Sequence, residues 1–196
     1  MYDPAPYRQR AVALEARDVS VRRCGHSLVQ RVSLTAERGE LLVLLGGVGS
    51  GTSTLLELLA GRIDLDAGRV LVDGRAPLDL ADASPMVAYA HGAHACTALL
   101  DHTTSRGAQE RGAIALLDPS TEGLDEATAR HLLARCRAAA DDGHSIVVTL
   151  DSAGLAATYA TTVALFVAGR LLSWGPPAVA LVPALQLLGD AGHRVH

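Results

Sequence analysis

The chain has 196 residues, a length that suits one domain with its own hydrophobic core. Hydrophobic residues make up 49% of the sequence and charged residues 19%, a composition that favours a globular fold over disorder. The formal net charge of −4 supplies no overall basic field, so we do not expect nucleic acid as a partner. We predict a single domain over 1–196.

Cysteine usage and hydropathy bear on where the protein works. Cys24, Cys96 and Cys136 are an odd number of cysteines at wide spacing, and the polar N-terminus lacks a secretory signal pattern. No apolar run reaches the ~18 residues that a membrane helix needs. We therefore expect free thiols, a cytoplasmic location and, at the inner face of the membrane, attachment only through a partner.

The first half of the chain predicts strands followed by a helix. Alternating apolar residues over 12–36, with a turn at 24–26, predict antiparallel strands that have one solvent-facing side. Consecutive Leu and Val residues at 41–45 predict a strand buried on both faces, as in a parallel sheet. A helical pattern over 54–60 and a strand over 68–74 follow.

The second half alternates strands with helices. The polar stretch 91–111 predicts mostly loop, and Pro176-Pro177 opens a final helix towards residue 188. The order of elements predicts an α/β fold, a doubly wound, mostly parallel sheet with a small N-terminal antiparallel layer and ligands at the carboxyl ends of its strands. The strands are expected at 86–90, 113–118, 145–150, 163–167 and 170–174, and the helices at 126–140 and 153–160.

The stretch 46–54 lies between a buried strand and a helix and contains four glycines. Such a turn points backbone N–H groups and a helix N-terminus at one place, which suits a phosphate, although a tight turn without a ligand is the alternative. The spacing is that of a phosphate-binding loop, G-x-x-x-x-G-K-[ST], with Ser53 at the position whose hydroxyl binds Mg²⁺. Thr52 stands where the motif has lysine. A hydroxyl cannot supply that charge, and the chain contains no lysine to replace it.

A cluster of imidazole and thiol side chains lies downstream, at His91, His94, Cys96 and His102. These groups are zinc ligands in many proteins, but the spacing matches no structural zinc pattern, so we favour a solvated polar loop. A Ser-His-Asp hydrolase is not supported because the sequence has no G-x-S-x-G elbow.

The order of the segments resembles the ATP-binding cassette (ABC) ATPase family over nearly the whole chain. The resemblance implies a P-loop NTPase-like fold with ATP and Mg²⁺ as ligands, and Asp118, at the end of the Walker B strand, would hold the metal with Ser53. A carboxylate that caps the next turn is the alternative role for Asp118. The matching stretches are the opening strands at 14–21 and 32–36, the Walker A loop at 46–54, the strand at 69–74, Walker B at 116–118, the D-loop at 123–125, the segment 146–151 and the closing hairpin at 167–177.

The resemblance also assigns the nucleotide-binding residues. Arg23 stands at the position of the family's adenine-stacking aromatic side chain, and its guanidinium plane is able to stack in the same way. The full expected set is Gly46, Gly47, Val48, Gly49, Ser50, Gly51, Thr52, Ser53, Thr54 and Arg23.

The chain departs from the family at the positions that handle the γ-phosphate. Pro119 stands at the general-base glutamate, Leu150 at the switch histidine and His91 at the Q-loop glutamine. Proline cannot accept a proton and leucine cannot hydrogen-bond a phosphate, so we assign no catalytic residue and expect little or no hydrolysis. Glu122 is the nearby carboxylate able to substitute, but a solvent-facing or capping role is favoured.

A second departure is a deletion. The family's helical subdomain, which carries its signature motif and docks on the membrane subunit, is reduced here to a remnant at 91–112. Ser105 and Gly107 match the signature, but Arg106 replaces a glycine and would crowd the close backbone approach that glycine permits.

The sequence therefore predicts a degenerate ABC-type ATP-binding subunit that binds ATP weakly or not at all. Because the D-loop belongs to the family's dimer interface, we expect it to act with an intact ABC ATPase, a second copy of itself or a membrane transporter subunit. The alternative is a non-enzymatic interaction or regulatory protein on a P-loop scaffold that no longer binds nucleotide. An active ATPase is a third hypothesis, and requires turnover that Asp118→Asn removes.

Overall fold

A computed structural model of the protein describes residues 11–75, 87–105, 113–119 and 125–183. The N-terminal part forms an antiparallel sheet of three strands in the order β2-β1-β4. These strands are β1 (Val12–Arg23), β2 (His26–Glu37) and β4 (Ala67–Val72). The small antiparallel layer that the alternating pattern predicts is confirmed, and the later strand β4 joins it beside β1.

The second sheet has six strands in the order β5-β6-β7-β3-β8-β9. The first five are parallel to one another and β9 is antiparallel to β8, so the predicted α/β fold with a mostly parallel sheet is confirmed. The strands are β3 (Leu41–Leu45), β5 (Val87–His91), β6 (Ile114–Asp118), β7 (Ser145–Leu150), β8 (Thr162–Val167) and β9 (Arg170–Gly175).

Helices cover both faces of this sheet. They are α1 (Thr52–Leu59), α2 (Ala93–Ser105), α3 (Glu126–Asp141), α4 (Ala153–Tyr159) and α5 (Pro177–Ala180). The predicted final helix begins at Pro177 but ends at Ala180, with Leu181 as its C-cap, and the expected continuation past residue 183 lies outside the described residues. Among the described residues, no helix has the length and apolar character needed to cross a membrane.

The prediction of loop over 91–111 is wrong for helix α2. Cys96 and Leu100 lie four residues apart and are both fully buried, which gives the segment an apolar face despite its polar composition. The hydroxyl groups of Thr97, Thr103 and Thr104 each donate to the carbonyl four residues earlier, so these polar side chains are satisfied within the helix.

The unbroken apolar run of β3 is explained by a separate core on each face of the sheet. Leu41, Val43 and Leu45 pack into a core with α2, α3 and α4. Leu42 and Leu44 face the other way, into a core with α1 and the antiparallel sheet. Each fully buried leucine contributes about 1.5–3 kcal/mol relative to an exposed one, so both faces of the strand anchor the loop that follows it.

The parallel register brings the ends of four strands together at one edge of the sheet. Leu45 pairs with Leu150, and His91 pairs with Asp118. Since ligands bind at the carboxyl ends of parallel strands, this edge is the expected position of a site.

Candidate functional site: a glycine-loop cleft

The loop between β3 and α1 is anchored at both ends by backbone hydrogen bonds. Gly46 N–H donates to the Leu150 carbonyl at 2.9 Å, which ties the start of the loop to β7. Gly169 N–H donates to the Ser50 carbonyl at 2.8 Å, which ties its far side to the β8–β9 turn. The loop is therefore held by two segments that lie more than one hundred residues away in sequence.

Three glycines of the loop are required by the local geometry. Gly49 and Gly51 have φ of +77° and +92°, a region that other residues rarely adopt. A Cβ on Gly51 would lie 2.4 Å from the Leu28 carbonyl oxygen, and one on Gly46 would lie 2.5 Å from Ser50 Oγ. A side chain at these positions would push the loop away from β2 or distort its own turn.

The loop borders a cleft of about 770 Å³, a size typical of small-molecule sites. All nine predicted residues from Gly46 to Thr54 line it, and Asp118 lies in the same cleft. The remaining lining residues are Ser27, Leu28, Gln30, Glu57, His91, Thr149, Leu150 and Ala168.

Arg23, the remaining predicted nucleotide-binding residue, is not among the residues that line the cleft. One terminal nitrogen of its guanidinium donates to the Asp64 carbonyl at 3.2 Å, and the other lies 4.0 Å from the carboxylate of Asp66. The structure therefore holds Arg23 against the connection between α1 and β4.

The lysine position of the loop is filled by a buried hydroxyl. Thr52 is 6% exposed, and its Oγ1 lies 3.2 Å from Ser50 Oγ, within hydrogen-bonding distance. Ser53, the predicted metal-binding hydroxyl, is exposed in the first turn of α1. The loop thus lines the cleft with glycines and hydroxyl-bearing residues, and it contributes no cationic side chain.

Asp118 is buried at the end of β6, with 3% of its surface exposed, and is held by neighbouring strands. Its Oδ1 accepts a 2.7 Å hydrogen bond from Thr149 Oγ1, and its Oδ2 lies 3.4 Å from His91 Nδ1. Its backbone carbonyl accepts from Gly92 N–H at 2.7 Å. Sequence reasoning missed Thr149; the available signal was a polar residue inside the otherwise apolar strand 146–150.

Ser53 and Asp118 supply oxygen ligands of the kind that Mg²⁺ prefers, so the residues fit that ion in chemical type. The hydroxyl of Thr149 and the imidazole of His91 fix the Asp118 carboxylate in place. Such neighbours orient a metal ligand in metal sites generally.

The charged groups of the described cleft are mainly acidic. Glu57 and Asp118 both line it, and no arginine lies among its described lining residues. Burial, followed by the negative charges of Asp118 and Glu57, raises the pKa of Tyr89 to about 12. A polyphosphate entering this cleft would meet carboxylates without a compensating side-chain cation.

Pro119 and Leu150, which the resemblance places at two catalytic positions of the family, are both apolar. Leu150 is 4% exposed, lines the cleft and offers only its backbone carbonyl, which Gly46 already uses. Pro119 follows β6 and is buried. Neither side chain is able to bind a phosphate or take a proton from water.

Several predicted features lie only partly within the described residues. Asp125, the last residue of the predicted D-loop, caps α3 by accepting hydrogen bonds from the backbone N–H and the hydroxyl of Thr128. These bonds lower the Asp125 pKa below its usual value. The rest of the D-loop, Glu122, Arg106 and Gly107 lie outside the described residues, as does the side chain of Ser105.

Helix α2 directs the side chains of the histidine and cysteine cluster to different environments. Cys96 is fully buried and its thiol donates to the Ala90 carbonyl, while His94 and His102 are exposed. Burial raises the pKa of Cys96 to about 12, so the thiolate form that binds zinc is disfavoured. Among the described residues, no group of three or more His, Cys, Asp or Glu side chains is arranged to hold a metal ion.

Comparison with known proteins identifies the family. A sequence model described as "ABC transporter" matches residues 29–139, which is more than half of the chain. The chain belongs to the ABC transporter family.

Curated relatives of this ABC-family chain are ATP-binding proteins. The hemin import ATP-binding protein HmuV of Rhodococcus jostii is 30% identical over 246 aligned positions that cover 98% of the chain and 84% of the relative. HmuV of Nocardia farcinica is 32% identical, with 89% and 81% covered. A putative ABC transporter ATP-binding protein of Streptomyces avermitilis is 31% identical over 91% of the chain, which spans only 41% of that relative's length.

Solved structures of ABC-family proteins share the fold. One is CbiO1 from Clostridium perfringens, part of the ABC transporter complex CbiONQ, which covers 95% of the chain with a TM-score of 0.66 and 16% identity. The ATP-binding subunit of another ABC transporter covers 90% with a TM-score of 0.65 and 18% identity. At these identities the likeness establishes the fold alone.

Proposed function

We propose that the chain is a degenerate ABC-type ATP-binding subunit, which binds ATP weakly as its Mg²⁺ complex and hydrolyses little or none. The observation that carries this proposal is the pairing of an intact glycine loop with a buried Thr52 at the lysine position. The loop keeps the backbone geometry of a phosphate cradle, while its usual point charge is missing.

Retention of the nucleotide site is supported by the way the loop is built. Glycine at positions 49 and 51 permits positive φ angles and the close approach of Gly51 to β2, a geometry that suits a loop whose backbone contacts a ligand. Ser53 remains exposed at the start of α1, and Asp118 is held by Thr149. Bound Mg²⁺ would supply the positive charge that phosphate groups require next to Glu57 and Asp118.

Weak or absent hydrolysis is supported by the groups at two positions. Loss of general-base catalysis, with Pro119 at the base position, typically lowers a rate by about 10²–10⁴-fold. Loss of an electrostatic contact to the transferring phosphoryl group, with Leu150 at the histidine position, lowers it by about 10²–10³-fold. With both groups lost, positioning of the nucleotide by the loop is the main contribution that the isolated chain makes to the rate of hydrolysis.

The setting that we propose is a transporter assembly in which this chain works with an intact ABC ATPase or a membrane subunit. The names of the Rhodococcus and Nocardia relatives support an importer. The alignment with the Rhodococcus protein has 246 positions against 196 residues here, so at least 50 positions have no counterpart in this chain. This difference supports a shortened chain, and we place the shortening in the helical subdomain, with 91–112 as its remnant and an altered docking surface.

Titration of the purified full chain with a fluorescent ATP analogue, with Mg²⁺ and with EDTA, tests the proposal. We expect a saturable component of binding that appears only with Mg²⁺. We also expect Ser53→Ala to weaken it, whereas the matched Ser53→Thr variant, which keeps the hydroxyl, retains it. Absence of binding at millimolar nucleotide would instead support the second candidate, a non-enzymatic platform, which is favoured by the acidic lining of the cleft.

A further inference from the structure

A second polar groove lies beside the glycine-loop cleft, between the two long N-terminal strands and β9. It has a volume of about 520 Å³ and is lined by Asp18, Gln30, Arg31, Ser33, Arg170 and Leu171. A neighbouring cavity of about 310 Å³ shares Asp18 and Ser33 with it and extends to Trp174. We call the first of these, with its six lining residues, the arginine groove.

Two guanidinium groups dominate the charge of the arginine groove. Neither Arg31 nor Arg170 forms an ion pair with a described carboxylate, although Asp18 lines the same groove. Arg170 Nε donates to Gln30 Oε1 at 3.0 Å, which orients its guanidinium and leaves the two terminal nitrogens without a hydrogen bond to a described residue. The groove thus holds two cations and one carboxylate in a protein of net negative charge.

The backbone at the groove is strained in both N-terminal strands. Asp18 and Arg31 have φ of +49° and +48°, a region that costs about 1–3 kcal/mol for a residue other than glycine. The β1–β2 pairing shifts register on both sides of Val19, so the strands bulge where they line the groove. Bulges redirect side chains and are concentrated next to functional sites.

Two serine hydroxyl groups hold this strained geometry in place. Ser33 Oγ accepts from Asp18 N–H at 2.9 Å, and Ser20 Oγ accepts from Arg31 N–H at 3.0 Å. Side-chain hydrogen bonds therefore join the two strands at their bulges. The distorted backbone is stabilised by the sheet itself, because a serine on each strand accepts a hydrogen bond from the distorted residue of the other strand.

We propose that the arginine groove binds the phosphate group of a small molecule, at a site separate from the glycine-loop cleft. Guanidinium groups bind phosphate through paired hydrogen bonds, and the groove is large enough for a compound of that kind. Gln30 lines both the groove and the cleft, and its Nε2 donates to Ala168 O at the cleft edge. A phosphate held by Arg170 thus lies one side chain away from the cleft.

The fluorescence of Trp174 provides a signal for ligand binding, because Trp174 is the single tryptophan of the chain and is 45% exposed. We would titrate the full chain with pyrophosphate in EDTA, which removes metal-dependent binding at the cleft, and follow tryptophan fluorescence alongside calorimetry. A parallel titration with ADP distinguishes two sources of the phosphate group. Equal affinities indicate recognition of the phosphates alone, and tighter binding of ADP indicates a nucleotide whose base reaches towards Trp174.

We expect saturable binding that Arg31→Gln and Arg170→Gln each weaken about tenfold or more, as loss of a charge-assisted hydrogen bond does. Arg69→Gln, which removes an exposed arginine outside the groove, should change affinity less than twofold. Asp18→Asn should strengthen binding, since asparagine tolerates the same backbone conformation and removes a repelling charge. Arg31→Gly should raise the melting temperature while weakening binding, which separates a functional role from a structural one.

Three results would overturn the proposal. One is the absence of saturable binding to the wild-type chain. Another is an equal loss of affinity in Arg69→Gln and the groove variants, which would mean non-specific attraction of anions. The third is binding that Ser53→Ala abolishes and the groove variants leave unchanged, which would place the pyrophosphate in the cleft.

Discussion

Thr52 Oγ1 lies 3.2 Å from Ser50 Oγ, so the residue at the lysine position of the loop is directed to a neighbour within the loop itself. Both residues are 6% exposed. The glycine turn that we propose to bind phosphate therefore lacks the cation that normally accompanies such a turn, and restoring the charge tests the proposal.

Restoring the charge with Thr52→Lys should increase affinity for ATP. A hydrogen bond to a charged group contributes about 1.5–3 kcal/mol, so we expect a gain of about ten- to a hundredfold, with binding that persists in EDTA. Thr52→Met, which adds length without charge, is the matched control and should give no gain. Equal affinities for the lysine and methionine variants would contradict the role assigned to the missing charge.

Removing the hydroxyl that holds Asp118 should destabilise the fold. Thr149→Val leaves a buried carboxylate oxygen without its 2.7 Å donor, and we expect a loss of about 1–3 kcal/mol in the free energy of unfolding, measured with urea. Thr149→Ser keeps a hydroxyl and should recover most of that loss. If valine and serine variants unfold at the same urea concentration, the hydrogen bond is not a stabilising contact.

Glycine at position 51 should be far less replaceable than glycine at position 47. Gly51→Ala introduces a Cβ at 2.4 Å from the Leu28 carbonyl oxygen, at a φ of +92°. We expect a destabilisation of about 2 kcal/mol or more, since strain and a steric clash add. A Cβ on Gly47 meets nothing within 4 Å, so Gly47→Ala serves as the control and should change the melting temperature little.

The cap of α3 should make stability depend on pH in the acid range. Hydrogen bonds from the Thr128 side chain and backbone lower the Asp125 pKa in the folded state. A lowered pKa means that the stabilisation is present above the unfolded-state pKa of about 3.9 and is lost as the pH falls through the folded-state value. Asp125→Asn keeps a capping side chain but does not titrate, so its melting temperature should fall less than that of the wild type between pH 5 and 3.

The sequence predicts the glycine loop well because its information is local. The spacing of Gly46, Gly49 and Gly51 before an apolar helix specifies a turn whose geometry the structure reproduces. The buried run 41–45 likewise predicts a two-faced strand, because five apolar residues without alternation require a core on each side. Helix α2 is hard to predict because its buried face combines Cys96 and Leu100 with a polar residue, Thr103, so the apolar periodicity is weak.

The polar contacts around the site were less accessible from sequence because they join distant positions. Thr149 and Asp118 are 31 residues apart, and Gln30 and Arg170 are 140 apart, so each contact depends on strand order and register. The distorted backbone at Asp18 and Arg31 also follows from the pairing of two strands, and no local turn motif in the sequence predicts it. The resemblance places Arg23 at the adenine of the nucleotide, and the structure shows its guanidinium beside Asp64 and Asp66, which are distant in sequence.

The fate of ATP bound to the purified chain shows whether this protein hydrolyses nucleotide. The full chain would be incubated with radiolabelled ATP and Mg²⁺, and the nucleotide would be recovered and separated after many minutes. We expect bound ATP to be recovered intact, with no more ADP than in the Asp118→Asn variant. Steady formation of ADP by the wild-type chain, abolished by Asp118→Asn, would contradict it.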